Sequence, residues 1–253
     1  MNGERLPPDD PVPLDGAGVP LCCQAPPGQL PVWPLLWLRP EELPAAPDGT
    51  PVSHWGKAPS SHLSAVADPD GDPPLLKLDV ATGKRGLVLR EASLTPADPT
   101  VRRLRLEKTL TLGDQFSLYL VVRNGPEAGS GGVSFQNDDD DTRLPKSALD
   151  GVNVRIADVN LDDDEGTDLA ELLYWSIHRD ANKVNLYKNG VFVNGDDEFT
   201  DADASLMRLQ TAALSDLDNS VWVGEVLVYD RLLPTAGDTA VKQYLKTKYD
   251  LPV

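Results

Sequence analysis

The feature that most constrains this chain is its punctuation. From Val32 to about residue 230, short apolar or alternating runs are separated by clusters of Gly, Pro, Asp and Asn, the texture of strands joined by turns. In Gln115–Arg123, Phe116, Leu118, Leu120 and Val122 recur with period two, as on a half-buried strand. Val152, Val154 and Ile156 repeat that pattern, with Asn153 and Arg155 facing out. Leu75–Val80, Leu87–Arg90, Val101–Leu112, Leu172–His178 and Lys183–Leu186 read as further strands. Asn189-Gly190 supplies the two positive φ angles of a type I′ turn and predicts a hairpin between the runs on either side. Val221–Asp230 is apolar at nearly every position, which predicts a strand covered on both faces.

Only the C-terminus carries helical spacing. Val241, Tyr244, Leu245 and Tyr249 fall on one face, and Thr235 with Asp238 resembles a capping arrangement. Lys242, Lys246 and Lys248 lie toward the end where the helix dipole favours cations. At the other terminus, residues 1–31 carry eight prolines, Pro7, Pro8, Pro11 and Pro13 among them. That composition predicts an extended, polyproline-like arm, packed on its own domain or docked on a neighbouring subunit. The expected organisation is an arm over 1–31 and one β domain over 32–253.

Two stretches near the end resemble a known family. Val223-Gly224-Glu225-Val226-Leu227-Val228-Tyr229-Asp230-Arg231, then a helix closing Tyr244-Leu245-Lys246-Thr247-Lys248-Tyr249, is similar to the ending of concanavalin A-like, LamG-type jelly-roll domains. The hairpin at Asn189-Gly190 resembles that family's "NG" hairpin. Leu36-Trp37-Leu38-Arg39 and Asp48-Gly49 through His54-Trp55 resemble its opening. The ordered set spans about residues 32–252. It implies an all-β, two-sheet antiparallel jelly-roll sandwich with a C-terminal helix, and leaves function open, since this sandwich hosts lectins, glucanases and structural modules.

Charge narrows the partners. The net charge is −17 and the pI about 4.4, so nucleic acid and anionic membranes are poor partners. The run Arg102, Arg103, Arg105 and Lys108 reads as a solvated strand face. Cys22 and Cys23 are adjacent and imply no disulfide framework. The longest apolar run, Val32 to Leu38, is short and broken by Pro34, so no membrane insertion is expected. The first residues lack a basic segment followed by an apolar one, so a cleaved signal peptide is not expected either.

Catalytic patterns are missing from the sequence. The superfamily's glucanases use an E-x-D-x-x-E strand, and no such run occurs. Glu225 and Asp230 have the odd spacing that puts them on opposite strand faces. There is no Gly-x-Ser-x-Gly elbow, P-loop or His-Glu-x-x-His motif. His178 reads as a surface residue ending a strand. The expectation is a protein that is not an enzyme.

Binding chemistry has more candidates. Asp158, Asn160, Asp162, Asp164 and Asp168 read as an acidic turn region. It departs from an EF-hand loop at Asp163, where Gly is needed, and at Leu169, where a chelating Glu is needed. Solvated turn charge is the favoured reading, and a looser calcium site the alternative. Sugar recognition needs aromatic faces and hydrogen-bonding side chains, which nominates Trp175, Trp222 and Asn137, with core packing the favoured reading of each tryptophan. Trp37 and Trp55 are expected in the core.

The first functional expectation is a structural or attachment module of a larger assembly, such as a bacteriophage capsid, tail or fibre component. Its partners would be protein subunits and a cell-surface glycan, and its location the virion or cell exterior, with the cytoplasm as the alternative. The second is a carbohydrate-binding, lectin-like module, and the third a glycoside hydrolase.

Overall fold

The computed structural model describes residues 30, 32–56, 63–90, 102–124, 133–136, 142–148, 151–156, 159–162, 172–196, 204–211 and 221–251. The arm prolines lie outside them. Among the described residues, sixteen strands form two eight-stranded antiparallel sheets. Sheet one runs β14 (Val191–Asp196), β13 (Lys183–Lys188), β12 (Leu172–Asp180), β7 (Gln115–Asn124), β16 (Val221–Tyr229), β5 (Lys84–Arg90), β4 (Leu75–Asp79). The short β1 (Leu36–Leu38) pairs the second half of β16, Val226 to Val228, while β5 pairs its first half. Sheet two runs β11 (Val159–Asp162), β10 (Gly151–Ile156), β9 (Thr142–Ala148), β8 (Val133–Gln136), β15 (Ala204–Thr211), β6 (Arg103–Leu112), β3 (Ala65–Ala67), β2 (His54–Trp55). The Asn189-Gly190 turn has φ values of 51° and 85°, the left-handed pair that the hairpin requires.

The main core lies between the sheets. Phe116, Leu118, Leu120 and Val122 of β7 point into it with Trp175, Ile177, Val223 and Val226. Trp55, Leu104, Leu106, Leu110 and Leu112 close it from sheet two. A second core covers the other face of sheet one. There α1 (Thr235–Tyr249) packs Val241, Leu245 and Tyr249 on Trp37, Tyr119, Val121, Tyr174, Trp222 and Leu227. Residues 222–229 are therefore buried without a break, the two-sided strand that the apolar run predicts. Strand β7 differs from its half-buried expectation, because Ser117, Tyr119 and Val121 are fully buried under the helix.

Two local expectations are corrected. The helix starts at Thr235 with Pro234 in the cap position and no side-chain cap bond. Asp238 is drawn instead to partners across the helix–sheet seam. Asn160 and Asp162 stand on β11, paired with Arg155 and Asn153 of β10, so extended strand replaces the expected turn there. Among the described residues, no helix is long and apolar enough to cross a membrane.

Candidate functional site

The two sheets present different outer faces. Sheet one's is covered by α1. On sheet two, Leu104 and Leu106 of β6 point into the core at 0% and 2% exposure. Arg105, between them, therefore belongs to the outer face, since successive strand residues alternate. Residues paired directly across an antiparallel ladder share a face. Arg105 pairs with Val66, and Val66 with His54. In the other direction Arg105 pairs with Arg208, and Arg208 with Gln136. The ladder continues from Gln136 to Arg143, Arg143 to Arg155, and Arg155 to Asn160. One row thus crosses all eight strands: His54, Val66, Arg105, Arg208, Gln136, Arg143, Arg155, Asn160. Arg103, Gln210 and Ser134 begin a parallel row beside it. The run Arg103–Arg105 was legible as a strand face. Its partners Arg143, Arg155 and Arg208 were not, because they lie 38 to 103 residues away along the chain.

The seam beneath α1 holds a polar cluster of a different kind. His178 of β12, expected at the surface, is 7% exposed. Its Nδ1 lies 3.5 Å from Ser117 Oγ and its Nε2 3.5 Å from Asp238 Oδ1. Asp238 also accepts a bond from Tyr119 OH at 2.7 Å and pairs with Lys242 Nζ at 2.7 Å. These are the residue types of a hydrolytic triad, but the geometry serves docking. Ser117 is fully buried, and its Oγ accepts the Leu233 backbone N–H at 3.0 Å. A nucleophile has to meet its substrate, and this hydroxyl faces a packed seam.

Burial lowers the His178 pKa to about 4, with the Lys242 charge adding to the shift and Asp238 opposing it. The unfolded chain takes up that proton near 6.5, so between pH 6.5 and 4 the unfolded state binds more protons. Stability from this group is complete above about pH 6.5 and declines as the pH falls to 4. The expected loss is about 3 kcal/mol over that window. Urea unfolding at pH 7, 5.5 and 4.5 is expected to show a shallower decline for His178→Gln than for the parent chain. Equal declines would remove His178 as the titrating group.

A second buried group joins the helix to the sheet. Glu225 is fully buried, yet both carboxylate oxygens are satisfied. Oε1 accepts Trp37 Nε1 at 2.6 Å and Tyr244 OH at 2.9 Å. Oε2 accepts Tyr249 OH at 2.9 Å and pairs with Lys248 Nζ at 2.8 Å. Burial, with the Glu225 charge beside them, raises the pKa of both tyrosines well above the ordinary range. They stay protonated donors.

The remaining nominated residues fall as follows. Trp175 is 1% exposed in the inter-sheet core, and Trp222 is 5% exposed beneath the helix. Neither offers an open face for a sugar. Trp37 and Trp55 are core residues as expected. Asn137, Asp158, Asp164 and Asp168 lie outside the described residues. Among the described residues, no group of three or more His, Cys, Asp or Glu is placed to hold a metal ion.

No family model matches the chain, and no curated protein does. Solved structures do. The botulinum neurotoxin serotype D ligand-binding domain, in complex with N-acetylneuraminic acid, superimposes with a TM-score of 0.56 at 9% identity, covering 87% of this chain and 54% of that one. The serotype G binding domain gives 0.55 at 13% identity over 74% and 48%. Trypanosoma rangeli sialidase, in complex with 2,3-difluorosialic acid, gives 0.52 at 12% identity over 87% and 34%. The chain spans about half the length of the neurotoxin domains. At these identities the likeness establishes the fold: a concanavalin A-like jelly-roll sandwich.

Proposed function

We propose that this chain is a carbohydrate-binding, lectin-like module without catalytic activity, and that its ligand lies on the outer face of sheet two. The observation that carries the reading is that sheet two keeps an outer face on which the register places His54 and Arg105, on a sandwich whose other outer face is taken by α1. Sugar binding needs hydrogen-bonding side chains on a rigid support, and a ladder of paired strands supplies the support. The fold is shared with a neurotoxin domain solved with N-acetylneuraminic acid, which supports a saccharide as the ligand class. The cell exterior is the location that fits. An attachment role in a virion would use residues 1–31 as its anchor, and these lie outside the described residues.

The test is a broad glycan array, run with calcium and again with EDTA. A saturable signal on at least one glycan is expected. Loss of that signal in EDTA would bring the acidic region around Asp158 into the site. Silence across neutral and acidic glycans in both buffers would remove the reading.

A further inference from the structure

We infer that the margin of sheet one's outer face over β13 and β14 is a second saccharide subsite, on which Phe192 stacks against a neutral pyranose ring. It extends the lectin-like reading to a place on the molecule separate from sheet two. The residues packed under α1 belong to β1, β5, β7, β12 and β16, so the helix leaves this margin uncovered. Val184 and Leu186 of β13 point into the inter-sheet core. Asn185 and Tyr187 alternate with them and take the outer side. The register pairs Tyr187 with Phe192 and Asn185 with Gly195 of β14, which sets all four on that side. Lys242 of α1 stands over the Tyr187 ring, 4.7 Å from its centroid. The strands thus make a floor and the helix a wall, and small ligands favour such concave corners.

An aromatic surface is open there. Phe192 is 56% exposed, and among the described residues no other aromatic ranks with the exposed large hydrophobics. Its contact with Tyr187, edge to face at 5.7 Å between centroids, steadies the ring while leaving it accessible. Val191 is 69% exposed, but it pairs with Lys188 and points to the opposite side of the strand. The ring is therefore an isolated platform, unlike the broad apolar patches that dock proteins.

Hydrogen-bonding groups border it. A Cβ at Gly195 would stand 2.6 Å from Asn185 Oδ1 and 3.3 Å from Phe192 Cε2. Glycine there lets the carboxamide lie beside the ring. Neither that carboxamide nor the Tyr187 hydroxyl has a hydrogen-bond partner among the described residues, so both can serve a ligand. Lys242 Nζ pairs with Asp238 Oδ2 at 2.7 Å and retains further N–H donors. Because that charge is already paired, the corner suits a neutral sugar. A β-linked glucose or galactose presents axial C–H bonds to an aromatic face and hydroxyls to groups around its rim.

The experiment titrates the folded chain with cellopentaose and with lactose, followed by NMR. Phe192→Ala is expected to weaken binding of at least one sugar by about 10-fold, and Phe192→Tyr to stay within about 2-fold of the parent. The exposed ring can be removed without changing the unfolding midpoint. If Phe192→Ala fails to fold, sugar-induced shifts of the Phe192 and Tyr187 ring protons in the parent decide. Binding unchanged in Phe192→Ala overturns the subsite, and its loss in Arg105→Gln would place the sugar on sheet two and leave the lectin reading standing. Self-association lost in Phe192→Ala, with neither sugar bound, assigns the ring to a second copy of the chain and also overturns the subsite. Silence on both sugars overturns it as well. Silence across the glycan array in addition removes the lectin reading with it.

Discussion

Replacing Glu225 by Gln is expected to lower the unfolding free energy by about 3–5 kcal/mol, the usual cost of breaking a buried ion pair from one side. The carboxylate accepts four donors, two on each oxygen: Trp37 and Tyr244 on one, Tyr249 and Lys248 on the other. Glutamine keeps one oxygen and turns the other into an NH2 group. Whichever way the amide is placed, that group confronts a donor that cannot accept, Trp37 Nε1 or Lys248 Nζ, in a site with no exposure to solvent. Desolvated donors left facing one another have no water to recover. Lys248→Met is expected to cost less, because three donors still hold the carboxylate. Lys248 also pairs with Glu41 at 3.0 Å, where burial opposes but the Lys248 charge prevails to lower the Glu41 pKa. Urea unfolding followed by tryptophan fluorescence reads both variants. A loss below about 1 kcal/mol for Glu225→Gln, the worth of a single ordinary hydrogen bond, would mean that the cluster does not hold the helix down.

The second large effect concerns Trp222, a residue whose type suggests sugar stacking. Trp222→Ala is expected to destabilise the fold by about 3–5 kcal/mol, as large-to-small changes of buried aromatics do. The indole lies between two glycines on adjacent strands, Gly86 of β5 and Gly224 of β16. A Cβ at Gly86 would stand 2.5 Å from Trp222 Nε1 and 2.5 Å from the Val223 carbonyl oxygen. Tyr249 of the helix meets the ring edge-on at 6.4 Å between centroids. The indole Nε1 donates to the Lys77 carbonyl at 3.2 Å. Gly86→Ala fills the slot from below and is expected to cost about 1–3 kcal/mol through overpacking. Thermal and urea unfolding check both. A Trp222→Ala chain with parental stability and weakened glycan binding would return Trp222 to the ligand face.

Much of this architecture is legible in the residues. The alternation in Gln115–Arg123 identifies the inward side of β7, because the strand period is fixed at two and the apolar set is uninterrupted. Asn189-Gly190 fixes its hairpin because few residue pairs tolerate two positive φ angles. The apolar run at Val221–Asp230 signals cover on both faces, and α1 and sheet two supply it. The candidate site is legible only in fragments. Arg103 and Arg105 are adjacent enough to show a common face, but the row they belong to is assembled from strands that sheet pairing brings together.

Glu225 marks where sequence parity runs out. By simple alternation it would share a face with Val223, which points into the inter-sheet core. The β16–β7 register shifts between Val223 and Glu225, so Gly224 is an extra residue that reverses the alternation. Val226 takes the inward position and Glu225 the helix side, where its four donors wait. Period two is a local property, so the sequence alone determined the strands, their apolar faces, the turn and the closing helix. Bulge position, ladder register and the seat of the helix depend on contacts between residues far apart in the chain. Those contacts alone decided that His178 and Glu225 are buried and that four distant arginines share one row.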